Sequence, residues 1–287
     1  MCDDDIHVGL VTDPTLSRRA FGLTLAAAAG GAGAARAQAQ VVEKDVQVKT
    51  PDGVSDAVLF HPPGRSKHPA VLVWTDIMGL RPAFRQMGRR LASQGYVVLV
   101  PNPFYRSKRA PVLEGDIDFS NPATRQLLGG YRQAMSGGGG PEADAKAYLA
   151  FLDAQPQTDR RRKAGVQGYC MGGPLSFRTA AAAKERIGAV ASFHGGGLVT
   201  DDPTSPHRVV VGSKAEFLVA HARNDDAKDP TIKDKLRQAL TAAGIPNTVE
   251  VYAADHGWCV PGSQVYDAAE AERAWSALSD LYKRRLV

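Results

Sequence analysis

From residue 42 onward the apolar positions follow two different rhythms. Val42–Val48 alternates apolar and polar residues, and Ala57–Phe60 is a second short extended run. With Asp52-Gly53 available for a turn between them, the two runs predict an antiparallel lead-in. Ala70–Trp74, AVLVW, is a continuous apolar stretch of the kind buried on both faces of a sheet. Phe84–Gln94 then changes to helical spacing, with Phe84, Met87, Leu91 and Ala92 on one face and Gly95 closing the turn. Tyr96–Val100, YVVLV, predicts the next buried strand, stopped by Pro101.

Residues 103–157 form a longer excursion of loop and helix. Within it Ser136-Gly-Gly-Gly-Gly-Pro141 is a flexible break, not a phosphate loop, because no lysine or serine follows in register. A helix at 142–153 leads to a strand at Ala164–Tyr169. Further strands are expected at Ala189–Phe193, Phe217–His221 and Thr248–Tyr252, and further helices at Leu175–Ala183, 231–243 and 266–282. This alternation predicts a single-domain α/β fold, with a mostly parallel central sheet flanked by helices on both faces. The loops at the carboxyl ends of such strands are where chemistry is housed.

The first forty residues have another character. Ser17-Arg18-Arg19-Ala20-Phe21 is followed by the small, weakly apolar run GLTLAAAAGGAGAA, then by Ala35-Arg36-Ala37 and Ala37-Gln38-Ala39. Paired arginines, a glycine-rich segment and small residues in a cleavage pattern together resemble a bacterial twin-arginine export signal. The resemblance implies a cleaved leader at 1–39, a folded domain at 40–287, passage through the twin-arginine export machinery and residence in the periplasm. The plain alternative is an Ala/Gly-rich tail. The run is too short and too rich in glycine to form a stable membrane span.

Composition narrows the chemistry. The 287 residues carry a formal net charge of +5, but the basic residues are scattered apart from Arg160–Lys163 and Lys283–Arg285, expected at solvent-facing helix ends. No basic stripe interleaved with aromatics appears, so no nucleic-acid partner is expected. The three cysteines, Cys2, Cys170 and Cys259, provide neither a disulfide scaffold nor a zinc-ligand spacing. No metal and no cofactor are expected, and the sequence assigns no oligomeric state.

The stretch Gly168-Tyr169-Cys170-Met171-Gly172-Gly173 joins a predicted strand to a predicted helix. In a nucleophile elbow, glycines flank the reactive residue because side chains there collide with neighbouring backbone. The following helix presents free N–H groups and its positive end, a field that favours a thiolate at Cys170 and an oxyanion beside it. The Met171 N–H is the expected first oxyanion donor. The competing reading is an inert cysteine on a helix packed closely through glycine. A thiol that attacks acyl carbon needs a base, and the base needs an orienting acid. His256, just after the last strand, is the candidate base, and Asp225 or Asp226 the candidate acid.

These segments resemble the dienelactone hydrolase family of the α/β hydrolases. The family elbow, Gly-x-Cys-x-Gly-Gly, is met by GYCMGG, and the likeness runs over roughly residues 42–283. It implies Asp225 as the triad acid and His256 as the histidine. It also matches Asp76-Ile77-Met78-Gly79 to a family segment whose second residue gives the other oxyanion N–H, here Ile77. The family has a glutamate at position 76 that contacts the resting cysteine. Asp76, one methylene shorter, is therefore expected to modulate the thiol or else to hold its loop. The enzyme for which the family is named has an arginine four residues past its histidine, where this chain has Val260; a second such arginine aligns loosely with Arg125. Arg106, Lys108 and Arg125 are left either to attract an anion or to stand as solvent-facing charges, and Tyr105, His194 and Trp258 are expected as pocket lining or else as core or rim.

The resemblance implies a cysteine-nucleophile hydrolase of a small ester or lactone, working through Cys170, His256 and Asp225. The rivals are a thioesterase or acyltransferase on the same triad, and an exported binding protein without activity. Cys259, three residues after His256, is expected near Cys170, where a disulfide would silence the thiol.

Overall fold

The computed structural model describes residues 10–11, 40–115, 117–137 and 140–287. The twin-arginine stretch 17–21, the cleavage motifs at 35–39, Cys2 and the centre of the glycine run at 138–139 lie outside the described residues. The strands are β1 (Leu10–Val11), β2 (Val42–Thr50), β3 (Gly53–His61), β4 (Ala70–Trp74), β5 (Val97–Pro101), β6 (Ile117–Asp118), β7 (Ala164–Tyr169), β8 (Ile187–Phe193), β9 (Glu216–Ala222) and β10 (Asn247–Tyr252). The helices are α1 (Pro82–Ser93), α2 (Pro122–Met135), α3 (Gly140–Ala154), α4 (Gly172–Ala182), α5 (Pro206–Val209), α6 (Arg223–Lys228), α7 (Ile232–Ala242) and α8 (Ala268–Leu286).

Eight strands form one sheet in the order β10-β9-β8-β7-β4-β5-β3-β2. The run from β10 to β5 is parallel, and β3 and β2 close one edge antiparallel. The short pair β1–β6 is separate and antiparallel, and β1 falls within the segment expected as leader. The antiparallel lead-in of the sequence is the β2–β3 hairpin, with Thr50 opposite Gly53.

The unbroken apolar strands follow from burial on both faces. Within β4, Leu72 and Trp74 face one core together with Tyr148 of α3, Phe177 of α4 and Leu236 of α7. Val71 and Val73 face the other, against Phe84 and Leu91 of α1 and Leu278 of α8. Period-two alternation splits a single strand between two cores. One polar residue interrupts this pattern in β7. Gln167 is fully buried and satisfied on both sides, its Nε2 donating to Tyr169 Oη at 2.7 Å and its Oε1 accepting from Tyr282 Oη at 3.0 Å.

Three described helices, α2, the single turn α5 and α6, escaped the sequence pattern. α2 buries only Leu128 and Met135 and contains Gly129-Gly130, so it has almost no apolar face to read. Its start is fixed at Asn121-Pro122: the Asn121 side chain accepts from the Ala123 N–H at 2.9 Å, and proline takes the first turn. α6 buries none of its residues, although it carries Asp225 and Asp226 in its first turn. Among the described residues, no helix is long and apolar enough to cross a membrane, and no cluster of three or more His, Cys, Asp or Glu side chains is arranged to hold a metal.

Candidate active site

Only Cys170 and Met171 separate the end of β7 from the start of α4. Cys170 has φ of 51°, in the left-handed region that non-glycine residues avoid. Three glycines make so sharp a reversal feasible. A Cβ on Gly168 would lie 1.8 Å from the Gly172 carbonyl oxygen, and one on Gly172 2.6 Å from the Trp74 carbonyl oxygen. One on Gly173 would lie 2.6 Å from Gly195 Cα. The elbow is thus pressed between the loop after β4 and the loop after β8, with backbone against backbone.

The loop after β4 carries Ile77. Among the described residues, neither the Ile77 N–H nor the Met171 N–H has a hydrogen-bond partner. Gly172 brings the start of α4 against the Trp74–Thr75 backbone that leads into the Ile77 loop.

The histidine arrives from the other side. His256 Nδ1 and Asp225 Oδ2 are 2.6 Å apart, and the His256 N–H donates to Asn224 Oδ1 at 2.9 Å. Asp226 turns away and pairs with Lys233 Nζ at 2.7 Å, so the two neighbouring acids have different partners. Burial opposes a charge on His256, but the Cys170 thiol and the Asp225 carboxylate outweigh it and hold the imidazole pKa up at about 10. Nε2 makes no hydrogen bond of ordinary geometry, yet Cys170 is near enough to be the leading cause of the upward shift.

The remaining expected residues have other partners. Of the two roles open to Asp76, its hydrogen bonds are those of the loop-holding one. Its carboxylate is held by both terminal nitrogens of Arg81, at 2.6 and 2.7 Å, and Oδ1 also accepts from the Met78 N–H at 3.0 Å. The shorter side chain closes onto its own loop, which is the loop that presents Ile77. Trp258 and His194 are 0% and 1% exposed, so they sit behind the site and do not line an open pocket. Tyr105 bonds Thr50 and Asp144 at 2.7 and 2.9 Å, and Arg106 is bound to Asp144 and Asp52. These two side chains therefore lock the β2–β3 hairpin to α3. Arg125 lies exposed on α2. Val260 is buried in the core with Trp258. Cys170 and Cys259 are both free thiols; burial, reinforced by the Asp76 charge, pushes Cys259 well above the ordinary thiol range and disfavours its thiolate.

Sequence reasoning overlooked two supporting residues. Arg81 was signalled only by a basic residue five positions after Asp76, and Asn224 only by its place next to the candidate acids.

The family model for the dienelactone hydrolase family matches residues 55–286. A candidate carboxymethylenebutenolidase of Methylorubrum extorquens is 26% identical over 98% of this chain and 97% of its own length. One of Escherichia coli is 28% identical over 75% of this chain and 77% of its own. Among solved structures, a candidate dienelactone hydrolase of Klebsiella pneumoniae superposes with a TM-score of 0.69 at 22% identity, covering 85% of this chain and 99% of that one. That likeness shows a shared α/β-hydrolase fold. With the fold and the extent of the family match together, the chain belongs to the dienelactone hydrolase family and is an enzyme of the hydrolase type.

Proposed function

We propose that the protein hydrolyses a small, uncharged ester or lactone through a covalent thioester on Cys170. The observation that supports this most is the meeting of Cys170, on its strained elbow, with the Asp225-held imidazole of His256. The thiolate attacks the acyl carbon and forms a C–S bond, while the carbonyl oxygen takes the negative charge between the Met171 and Ile77 donors. His256 gives its proton to the leaving oxygen as the C–O bond breaks. The neutral imidazole then takes a proton from water, the hydroxide adds to the acyl carbon, and the C–S bond breaks to restore the thiolate. Asp225 keeps the Nδ1 proton in place throughout and stabilises the charged ring.

The preference for an uncharged acyl group rests on the buried Val260 and on the engagement of Arg106 by two aspartates. A bidentate anion clamp has no ready counterpart in these residues. Hydrolysis of an activated aryl acetate, beside a lactone panel that includes dienelactone, tests the reading. Turnover and an acyl-enzyme mass on Cys170, both absent from Cys170→Ala, are the expected result. Turnover that survives in the variant moves the nucleophile elsewhere.

We also infer that residues 1–39 direct export by the twin-arginine route, on the strength of Arg18-Arg19 and the segment after it. Periplasmic recovery of a shortened chain, abolished by Arg18→Lys with Arg19→Lys, is the expected outcome; equal export of the variant removes this assignment.

A further inference from the structure

Two described residues other than glycine have a left-handed backbone, and they touch. Cys170 has φ of 51° and His194 has φ of 42°. The Cys170 N–H is shared between the Phe193 carbonyl at 3.0 Å, which continues the β7–β8 pairing, and His194 Nδ1 at 3.1 Å. His194 is in turn fixed from behind, its own N–H donating to the Ala220 carbonyl at 2.8 Å. Its ring lies 4.6 Å from the His256 ring and 5.2 Å from that of Trp258. The backbone around it allows no slack, since Gly195 and Gly173 meet where neither tolerates a Cβ.

A histidine in this place differs from an aromatic filler in two ways. Accepting a hydrogen bond on Nδ1 requires the neutral tautomer with its proton on Nε2. Burial, then repulsion from His256, holds the His194 pKa well below the ordinary value and keeps the ring neutral beside the charged one. The left-handed backbone is costly for any side chain except glycine and, to a lesser degree, asparagine or aspartate. Strain of this kind persists only where surrounding contacts determine it, and here those contacts are the nucleophile's backbone and the base's ring.

Resting on the thiol-hydrolase reading above, we propose that His194 is a positioning residue. It holds the Cys170 backbone through Nδ1 while its ring buttresses His256, and so fixes the separation of nucleophile and base. It touches no reacting atom.

The test compares His194→Asn, His194→Gln and His194→Phe. Asparagine places an acceptor oxygen near the position of Nδ1 and tolerates the left-handed backbone. Glutamine carries the same amide one bond too far out, and phenylalanine keeps a ring without an acceptor. Two quantities are read on the folded chain: kcat and KM for an aryl acetate, and the second-order rate of Cys170 alkylation by iodoacetamide, followed by mass. The Phe and Gln variants are expected to lose roughly tenfold or more in kcat and in alkylation rate, with KM within about twofold, as misplacement of a reacting group does. The Asn variant is expected to remain within about threefold of wild type in both, because its acceptor is preserved.

Equal rates in all four proteins, or an Asn variant no better than Gln, overturns the proposal. If the Phe variant does not fold, the Asn–Gln contrast decides alone. If the wild type hydrolyses no ester, the function proposed above fails, and the alkylation series still judges His194 by the same ordering.

Discussion

His256 Nδ1 lies 2.6 Å from Asp225 Oδ2, while Asp226, the next residue, is drawn to Lys233. The two acids share one turn of α6, and a helix sends consecutive side chains in directions about 100° apart, so they cannot serve one partner together.

This separation predicts unequal effects of the same change. Asp225→Asn leaves the imidazole with the wrong tautomer and is expected to lower kcat/KM by ~10³-fold or more, by analogy with triads in which this acid was replaced. Asp226→Asn removes a peripheral ion pair and should stay within about threefold, since such pairs contribute ~1 kcal/mol or less. Steady-state kinetics on both variants checks the assignment, and equal losses would overturn it.

The charge on His256 predicts a pH dependence. Its pKa in the folded chain is about 10, above the ordinary 6.5. A raised value stabilises the folded state fully below pH 6.5, and this contribution declines as pH rises, vanishing beyond about 10. Cys170→Ala removes the leading cause of the rise, so its histidine should titrate at lower pH. NMR titration of the His256 ring in both proteins, with urea unfolding at pH 7 and 10, measures the difference. Identical titration curves would show that the thiol does not face this ring.

Gly172 and Gly129 predict opposite signs for one substitution. Gly172→Ala places a methyl against the Trp74 and Thr75 carbonyl oxygens and is expected to unfold the elbow, costing several kcal/mol, at the severe end for single substitutions. Gly129→Ala meets nothing within 4 Å in the interior of α2 and should stabilise by about 0.5–1 kcal/mol. Thermal unfolding separates the two cases.

Asp76 and Arg81 predict a strong non-additivity. Arg81→Met leaves the carboxylate of Asp76, 6% exposed, without its counter-charge, and is expected to cost ~3 kcal/mol or more. Adding Asp76→Asn to the same chain should recover most of the loss, because no unpaired charge then stays buried. A denaturant double-mutant cycle reads the coupling; additive losses would mean that the pair does not stabilise the Ile77 loop.

The strands were legible because burial on both faces leaves an unmistakable composition, as in AVLVW at β4. The elbow was legible because a thiol fenced by glycines has few other uses. α6 was not, since it buries nothing and leaves no apolar period to read. For Asp76 the sequence leaves two roles open, at the thiol or on its own loop, and loop geometry, which brings Arg81 to the carboxylate, decides for the loop. For His194 and Trp258 residue type alone leaves pocket and core equally open, and burial decides for the core.

The sequence by itself determined the alternation of strands and helices, the glycine elbow at Cys170 and the chain order of thiol, acid and histidine. These depend on local periodicity and on backbone space, which neighbours along the chain specify. Only the tertiary structure decided which cation holds Asp76 and that His194 reaches the nucleophile's own backbone, and it turned the implied choice of Asp225 over Asp226 into a contact. The first depends on how one loop closes, and the others join residues distant in sequence. Distance and direction in space, not residue type, determine which charges and hydrogen-bond donors find one another.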